Sequence, residues 1–247
     1  MPNDMTTKPK TRLFVSNALD QGSEVALGRE HLHFLGNVLR LTSGDNVSLF
    51  NERSGEWLAK LEFRSRRQGT AQIVARLRYP QPEPGPWLAF APVKKTRTDF
   101  IVEKATELGV ARLIPVFTQY TATGRVNVDR LRAIAIEAAE QCHRLTVPDI
   151  MEATELSALL KSWPVGRMML VGDEKGGGRS LSRIFADIDT IPECGFLIGP
   201  EGGFEENEMS RLTAVKFCQA INLGPRILRA ETAAIAALSV WNALTQR

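Results

Sequence analysis

Four prolines at alternate positions, Pro80, Pro82, Pro84 and Pro86 in "YPQPEPGPW", constrain this chain more than any other feature. Each fixes φ and removes a backbone donor, so neither a helix nor a central strand can run through the segment. The spacing predicts a stiff, extended linker over 80–86. On its N-terminal side "RLFVS" reads as a strand, and "GREHLHFLGNVLR" places Leu32, Leu35, Val38 and Leu39 at helical spacing. A "TSGDN" turn and three period-2 stretches follow: "NVSLF", "EWLAKLEF" and "TAQIVARL". Several short strands around one helix suggest a small barrel.

Beyond the prolines the rhythm changes to alternating strands and helices. "WLAFAPV", "RLIPVF", "RMMLVG", "CGFLIG" and "QAINLG" read as apolar strands, the last three running into glycine. "DFIVEKATELGV", "DRLRAIAIEAAEQCHRL" and the alanine-rich "ETAAIAALSVWNAL" read as helices, and Gly109 should end the first of them. Such alternation predicts an α/β domain with a mostly parallel sheet and helices on both faces. The "GGG" at 176–178 reads as a mobile loop.

Charge separates the two parts. Residues 1–80 hold 12 Lys and Arg against 8 Asp and Glu, and the remainder 19 against 20. The basic excess in runs such as "RSRRQ" fits either a solvated strand edge or a polyanion-binding patch. The three cysteines form no CxxC pair, and the three histidines match no metal-ligand spacing, which argues against a metal. The polar start predicts no signal peptide, and no apolar run approaches a membrane span. A cytoplasmic protein is expected.

Three glycine-ended strands predict a ligand crevice at the carboxyl edge of the sheet. Neither G-x-G-x-x-G nor G-x-x-x-x-G-K-[ST] is present. In "FLIGPEGGFEENEM" the glycine loop carries Glu201, and Glu205, Glu206 and Glu208 follow. Two unit charges 4 Å apart repel by roughly 4 kcal/mol at an effective dielectric of 20. A helix dipole returns only about 0.3–1 kcal/mol to an anion. The loop therefore favours a neutral or cationic ligand without phosphate. A second loop, "LGPRILRAET", interleaves Arg226 and Arg229 with Ile227 and Leu228 and opens the last helix.

"LIGPEGGF" followed by "LGPRILRAETAA" resembles the signature of the small-subunit rRNA uracil-N3 methyltransferases of the SPOUT superfamily. "HFLGNVLRLTSGD", "KATELGV" and "EAAEQCHRLTVPDI" are similar to that family in the same order, so the likeness spans nearly the whole chain. It implies a tail over 1–11, a PUA-like β-barrel over 12–79 and a trefoil-knotted α/β domain over 87–247. It also implies S-adenosylmethionine as cofactor, N3 of the uridine numbered 1498 in 16S rRNA as target, and a homodimer built partly by the last helix. A sulfonium donor, cationic and free of phosphate, suits the acidic loop.

Carried over residue by residue, the resemblance places cofactor contacts at Leu170, Gly172, Ile198, Gly199, Glu201, Gly202, Leu223 and Leu228. Arg229 is the expected stabiliser of the uracil anion, with Glu201 or Glu231 as proton acceptor. Expected RNA contacts are Arg12, Arg40, Lys95 and Arg97, joined by Arg64, Arg66 and Arg67 of the basic run. Glu205 stands where the family often has Ser or Thr, which predicts a weakened capping box with Glu208. Two other classes compete. A non-catalytic RNA-binding assembly factor would use the barrel and let the paired loops decay, and they are intact. A nicotinamide oxidoreductase lacks its fingerprint here.

Overall fold

A computed structural model describes residues 8–65, 67–174, 176–186 and 192–245. The chain divides into two compact units, Met1–Glu83 with Ala139–Thr146, and Pro84–Ala138 with Val147–Arg247.

The first unit contains β1 (Arg12–Phe14), β2 (Glu24–Ala26), α1 (Arg29–His33), β3 (Asn46–Asn51), β4 (Gly55–Ser65) and β5 (Gln68–Arg78). Its sheet runs β1-β3-β4-β5-β2, with β1 parallel to β3 and the other pairs antiparallel. The expected single helix is instead a short α-helix that widens into a π-helical turn over Phe34–Val38. Leu32 and Leu35 from this segment join Leu13, Val47, Leu49, Leu61 and Ile73 in the core.

Inside this unit Arg12 is buried rather than presented to solvent. Its Nε donates to Glu56 Oε1 at 3.1 Å, and Nη1 to the Ala139 carbonyl at 2.7 Å. Nη2 donates to the Arg144 carbonyl, and the guanidinium lies 3.4 Å from the Phe50 ring centroid. Glu56 also accepts from Ser48 Oγ at 2.7 Å. The expectation that Arg12 contacts RNA is therefore corrected. A buried guanidinium with three of its N–H groups spent on a carboxylate and two carbonyls is closed off from phosphate.

The second unit contains β6 (Trp87–Phe90), α2 (Lys95–Glu107), β7 (Arg112–Phe117), α3 (Val128–Gln141, its last residues within the first unit), β8 (Asp149–Ile150), β9 (Thr154–Glu155) and α4 (Leu156–Ser162). It continues with β10 (Met168–Gly172), β11 (Arg179–Ser180), α5 (Leu181–Ile184), β12 (Cys194–Ile198), α6 (Glu206–Ala214), β13 (Cys218–Asn222) and α7 (Ala230–Thr245). All its strand pairs are parallel, in the order β11-β13-β10-β12-β6-β7-β8, with β9 also on β7.

Strand periodicity explains how both faces of this sheet are covered. Leu88, Phe90, Leu170, Phe196 and Ile198 point into one core with residues of α2, α3, α5 and α7. Their neighbours Ala89, Met169, Val171 and Leu197 point into a second core with α4 and α6. Strands buried on both sides read as unbroken apolar runs, as these do.

One crossing has no local signal in the sequence. β13 lies between β10 and β11, although both precede it in the chain. The segment joining β10 to β11 therefore reaches past the place that β13 occupies. Gly178 belongs to it, and a Cβ there would stand 2.5 Å from the Ile221 carbonyl carbon. The triple glycine, read as a mobile loop, instead packs against β13: Asn222 Nδ2 donates to the Gly176 carbonyl at 3.2 Å. No helix among the described residues is long and apolar enough to cross a membrane.

Candidate functional site

Parallel neighbours send their following loops out on the same side, so β13, β10 and β12 deliver three loops to one edge. Gly172, Asp173 and Glu174 come from the first loop, and Ile198, Gly199, Pro200, Gly203 and Phe204 from the second. The third adds Leu223, Gly224, Arg226, Ile227 and Leu228, and α7 closes the wall with Ala230 and Ala233. Together they enclose about 560 Å³ of empty space, open mouth included.

The glycines of this cleft have a steric reason. Gly203 sits at φ 71°, and a Cβ there would overlap the Glu174 carboxylate. The left-handed backbone favours glycine, and its bare Cα leaves room for the Glu174 carboxylate from the β10 loop. Small alanines at the start of α7 have the same effect on the opposite wall.

The entrance to α6 departs from expectation. Glu205 is its N-cap and accepts from Asn207 N at 2.8 Å, while Glu205 N donates to Glu208 Oε2 at 3.0 Å. The capping box is thus complete. A carboxylate accepts from the first-turn amides as a hydroxyl does, and its charge suits the positive end of the helix.

Beside the cleft, Arg97 of α2 forms ion pairs with both carboxylates expected to act in catalysis. It engages Glu201 closely, and its Nε lies 3.5 Å from Glu231 Oε1. Glu231 Oε2 is buried without a hydrogen-bond partner among the described residues. Arg97, expected to face RNA, instead ties the Gly199–Phe204 loop to the start of α7. Sequence reading missed this link because 104 residues separate Arg97 from Glu201.

Of the expected cofactor contacts, Gly172, Ile198, Gly199, Leu223 and Leu228 line the cleft. Leu170 does not, since its side chain is fully buried in the core beneath. Glu201 stands outside the lining with Arg97, and the Cα of Gly202 faces the Tyr120 side chain. Asp173 and Glu174 were missed, although they follow a glycine-ended strand in "LVGDE". Arg229 is exposed outside the lining, where Arg226 takes part. Lys95 is exposed at the start of α2. In the first unit Arg40 and Arg67 are exposed, and Arg64 pairs with Glu24 at 3.3 Å. Arg66 lies outside the described residues.

Comparison with known proteins gives one consistent result. A family described as an RNA methyltransferase domain matches residues 82–242, and one described as an RNA methyltransferase PUA domain matches residues 27–74. A ribosomal RNA small subunit methyltransferase E of Rickettsia conorii is 32% identical, over 92% of this chain and 93% of its own. The Bacillus subtilis protein of that name is 28% identical, over 92% and 93%. The crystal structure of a ribosomal RNA small subunit methyltransferase E from Neisseria gonorrhoeae bound to S-adenosyl methionine superimposes with a TM-score of 0.85, at 28% identity, over 95% of this chain and 97% of that one. A three-loop cleft on a parallel sheet and a likeness running through both units lead to the same place: this chain belongs to the RNA methyltransferase family, among the relatives of the ribosomal RNA small subunit methyltransferases E.

Proposed function

We propose that this protein uses S-adenosylmethionine to methylate N3 of a single uridine in 16S rRNA, the one numbered 1498, within the small ribosomal subunit. The observation that carries the reading is the cleft itself. Its walls are bare glycine backbone and apolar side chains, and the carboxylates Asp173 and Glu174 outnumber its one cation, Arg226. Carboxylates there oppose a pyrophosphate and favour a cation. The cofactor, when bound, supplies a methyl group on a positively charged sulfur and brings no phosphate.

The chain's own residues then divide the work. Uracil N3 carries a proton between two carbonyls, and that proton must leave before N3 forms its bond to the methyl carbon. The negative charge spreads onto O2 and O4. Arg229 holds that charge as a fixed, permanently protonated donor. Glu231 takes the proton in preference to Glu201, because one of its oxygens has no partner. Arg97 sets the position of both carboxylates.

The same reading makes the second unit a SPOUT domain with a deep trefoil knot, which the passage of β13 between β10 and β11 supports. It makes the first unit a PUA-like barrel that binds RNA through Arg64, Arg66, Arg67 and Arg40. It also implies a homodimer, in the cytoplasm where ribosomes assemble. Phe100 of α2 and Val240 of α7, exposed at 41% and 39%, are apolar groups that a second copy would cover.

Two measurements test the proposal. Calorimetry should show binding of S-adenosylmethionine and no comparable binding of NAD or ATP. Small subunits from a strain lacking the enzyme, treated with protein and cofactor, should yield 3-methyluridine on nucleoside analysis. Tight NAD binding without response to S-adenosylmethionine, or methylation at another base atom, overturns it.

A further inference from the structure

A second and larger cleft lies on the second unit, between the loop that follows β6, the first turns of α2, and the segment 122–131 that leads into α3. Its empty space is about 1110 Å³, mouth included, about twice that of the first cleft. Lys94, Lys95, Arg125 and Arg130 line it against a single carboxylate, Asp99, which Arg130 engages. Lys94, Lys95 and Arg125 are exposed, and none of the ion pairs among the described residues includes them.

The wall is built. Thr98 Oγ1, buried, accepts from Val93 N at 3.1 Å and donates to the Val93 carbonyl at 3.0 Å, fixing the loop to the helix. Asn127 Oδ1 accepts from Arg130 N at 3.0 Å and fixes the other side. Half-buried Val126 adds apolar surface over the buried Val93 and Leu131. The two lysines also have the wrong sign for their position. The first turn of α2 has no acidic residue, and cations at a helix N-terminus oppose its dipole. Selection for helix stability alone places carboxylates there, so these lysines answer to something else. Just past them Arg97 reaches Glu201, in the loop from which Gly199, Pro200, Gly203 and Phe204 line the first cleft.

We propose that this cleft is a nucleotide subsite for the substrate RNA. It holds one phosphodiester-linked nucleotide of the strand that carries the target base. Lys94, Lys95 and Arg125 take the phosphates, and Val126 packs against the sugar or base. Four cations facing one carboxylate make an anion the complement of the cleft, and its open mouth lets a strand enter and leave. The inference rests on the methyltransferase reading above, but its test is separate.

The test uses the full-length protein with Lys94, Lys95 and Arg125 all replaced by Ala. Binding of a mixed-sequence single-stranded RNA is followed by fluorescence anisotropy over a salt series, and binding of S-adenosylmethionine by calorimetry. The slope of log affinity against log salt should become shallower by about 0.7 for each phosphate no longer neutralised, hence roughly 1.4 for the two phosphates that flank one nucleotide. Cofactor affinity should stay within twofold of the parent, which shows that the fold is intact. An unchanged slope and RNA affinity overturn the subsite, as does a parent protein that binds no RNA. Binding of uridine monophosphate as tight as that of the oligonucleotide would mark a free-nucleotide pocket and also overturn it. If the triple variant loses cofactor binding, Lys95→Gln and Arg125→Ala singly carry the test, each with a slope change of about 0.7. Failure of the parent to bind S-adenosylmethionine would sink the proposed function and leave the RNA slope to decide the subsite.

Discussion

Replacing Arg12 by Met should destabilise the first unit and leave its RNA affinity, molecule for folded molecule, unchanged. The guanidinium is the donor to Glu56 Oε1, to the Ala139 carbonyl and to the Arg144 carbonyl, and it stacks on Phe50. Side-chain exposure is 6% for Arg12 and 7% for Glu56, so solvent cannot replace the missing donors. Removing one partner of a buried ion pair costs about 3–5 kcal/mol, because the remaining charge stays buried. Ser48 and Arg78 still reach Glu56, which places the expected loss toward the lower end. Against a total stability of about 5–15 kcal/mol this is a large fraction.

Urea unfolding measures it, with Trp57 as the fluorescent reporter, since it is the tryptophan of this unit. The double variant Arg12→Met with Glu56→Gln should recover part of the loss, because no uncompensated charge remains. A single variant that loses less than about 1 kcal/mol, the range of an exposed pair, refutes the burial argument. So does a double variant whose loss is the sum of the two singles. Unchanged stability with weakened RNA binding would restore Arg12 as an RNA contact.

Three further outcomes are expected. Arg229→Ala should keep cofactor binding and lower kcat for methyl transfer by about 10²–10³, with little rescue by Arg229→Lys, which lacks the planar fork; activity within a few-fold of the parent would pass the role to Arg226. Gly203→Ala puts a side chain at φ 71° and into the Glu174 carboxylate, so calorimetry should show a cofactor affinity lower by roughly 5- to 150-fold, the equivalent of 1–3 kcal/mol of strain; parental affinity would exclude the contact from the site. Burial pushes the Glu83 carboxyl up, but hydrogen bonds from Thr146, Leu145 N and Arg144 outweigh it and hold the group below the usual range. A depressed carboxyl stabilises the fold above its unfolded pKa of about 4.3, and that stability is lost as pH falls through the folded value. Glu83→Gln should therefore lower Tm at pH 7 and lose its effect in acid; a Tm difference independent of pH would refute the linkage.

Sequence alone determined the features that repeat locally. Alternation of apolar strands and helices announced the parallel sheet, and Pro80 to Pro86 announced a change of architecture. Glycine after three apolar strands located the edge at which the cleft forms, although the acid that the sequence singled out, Glu201, lies outside the lining and Asp173 and Glu174 supply its carboxylates. These signals are legible because backbone periodicity and glycine geometry are properties of neighbouring residues. What the tertiary structure decided depends on residues brought together from far apart. Arg12 and Glu56 lie 44 positions apart, Arg97 and Glu201 lie 104 apart, and in both pairs the partner converts a surface-type arginine into an organising one. The insertion of β13 between β10 and β11, which makes Gly178 necessary, and the pairing of β10 with β12, which brings Glu174 over Gly203, likewise have no local trace. A sequence records what each segment can become, but which segments adjoin, and so which charges are buried together, is settled only when the chain packs.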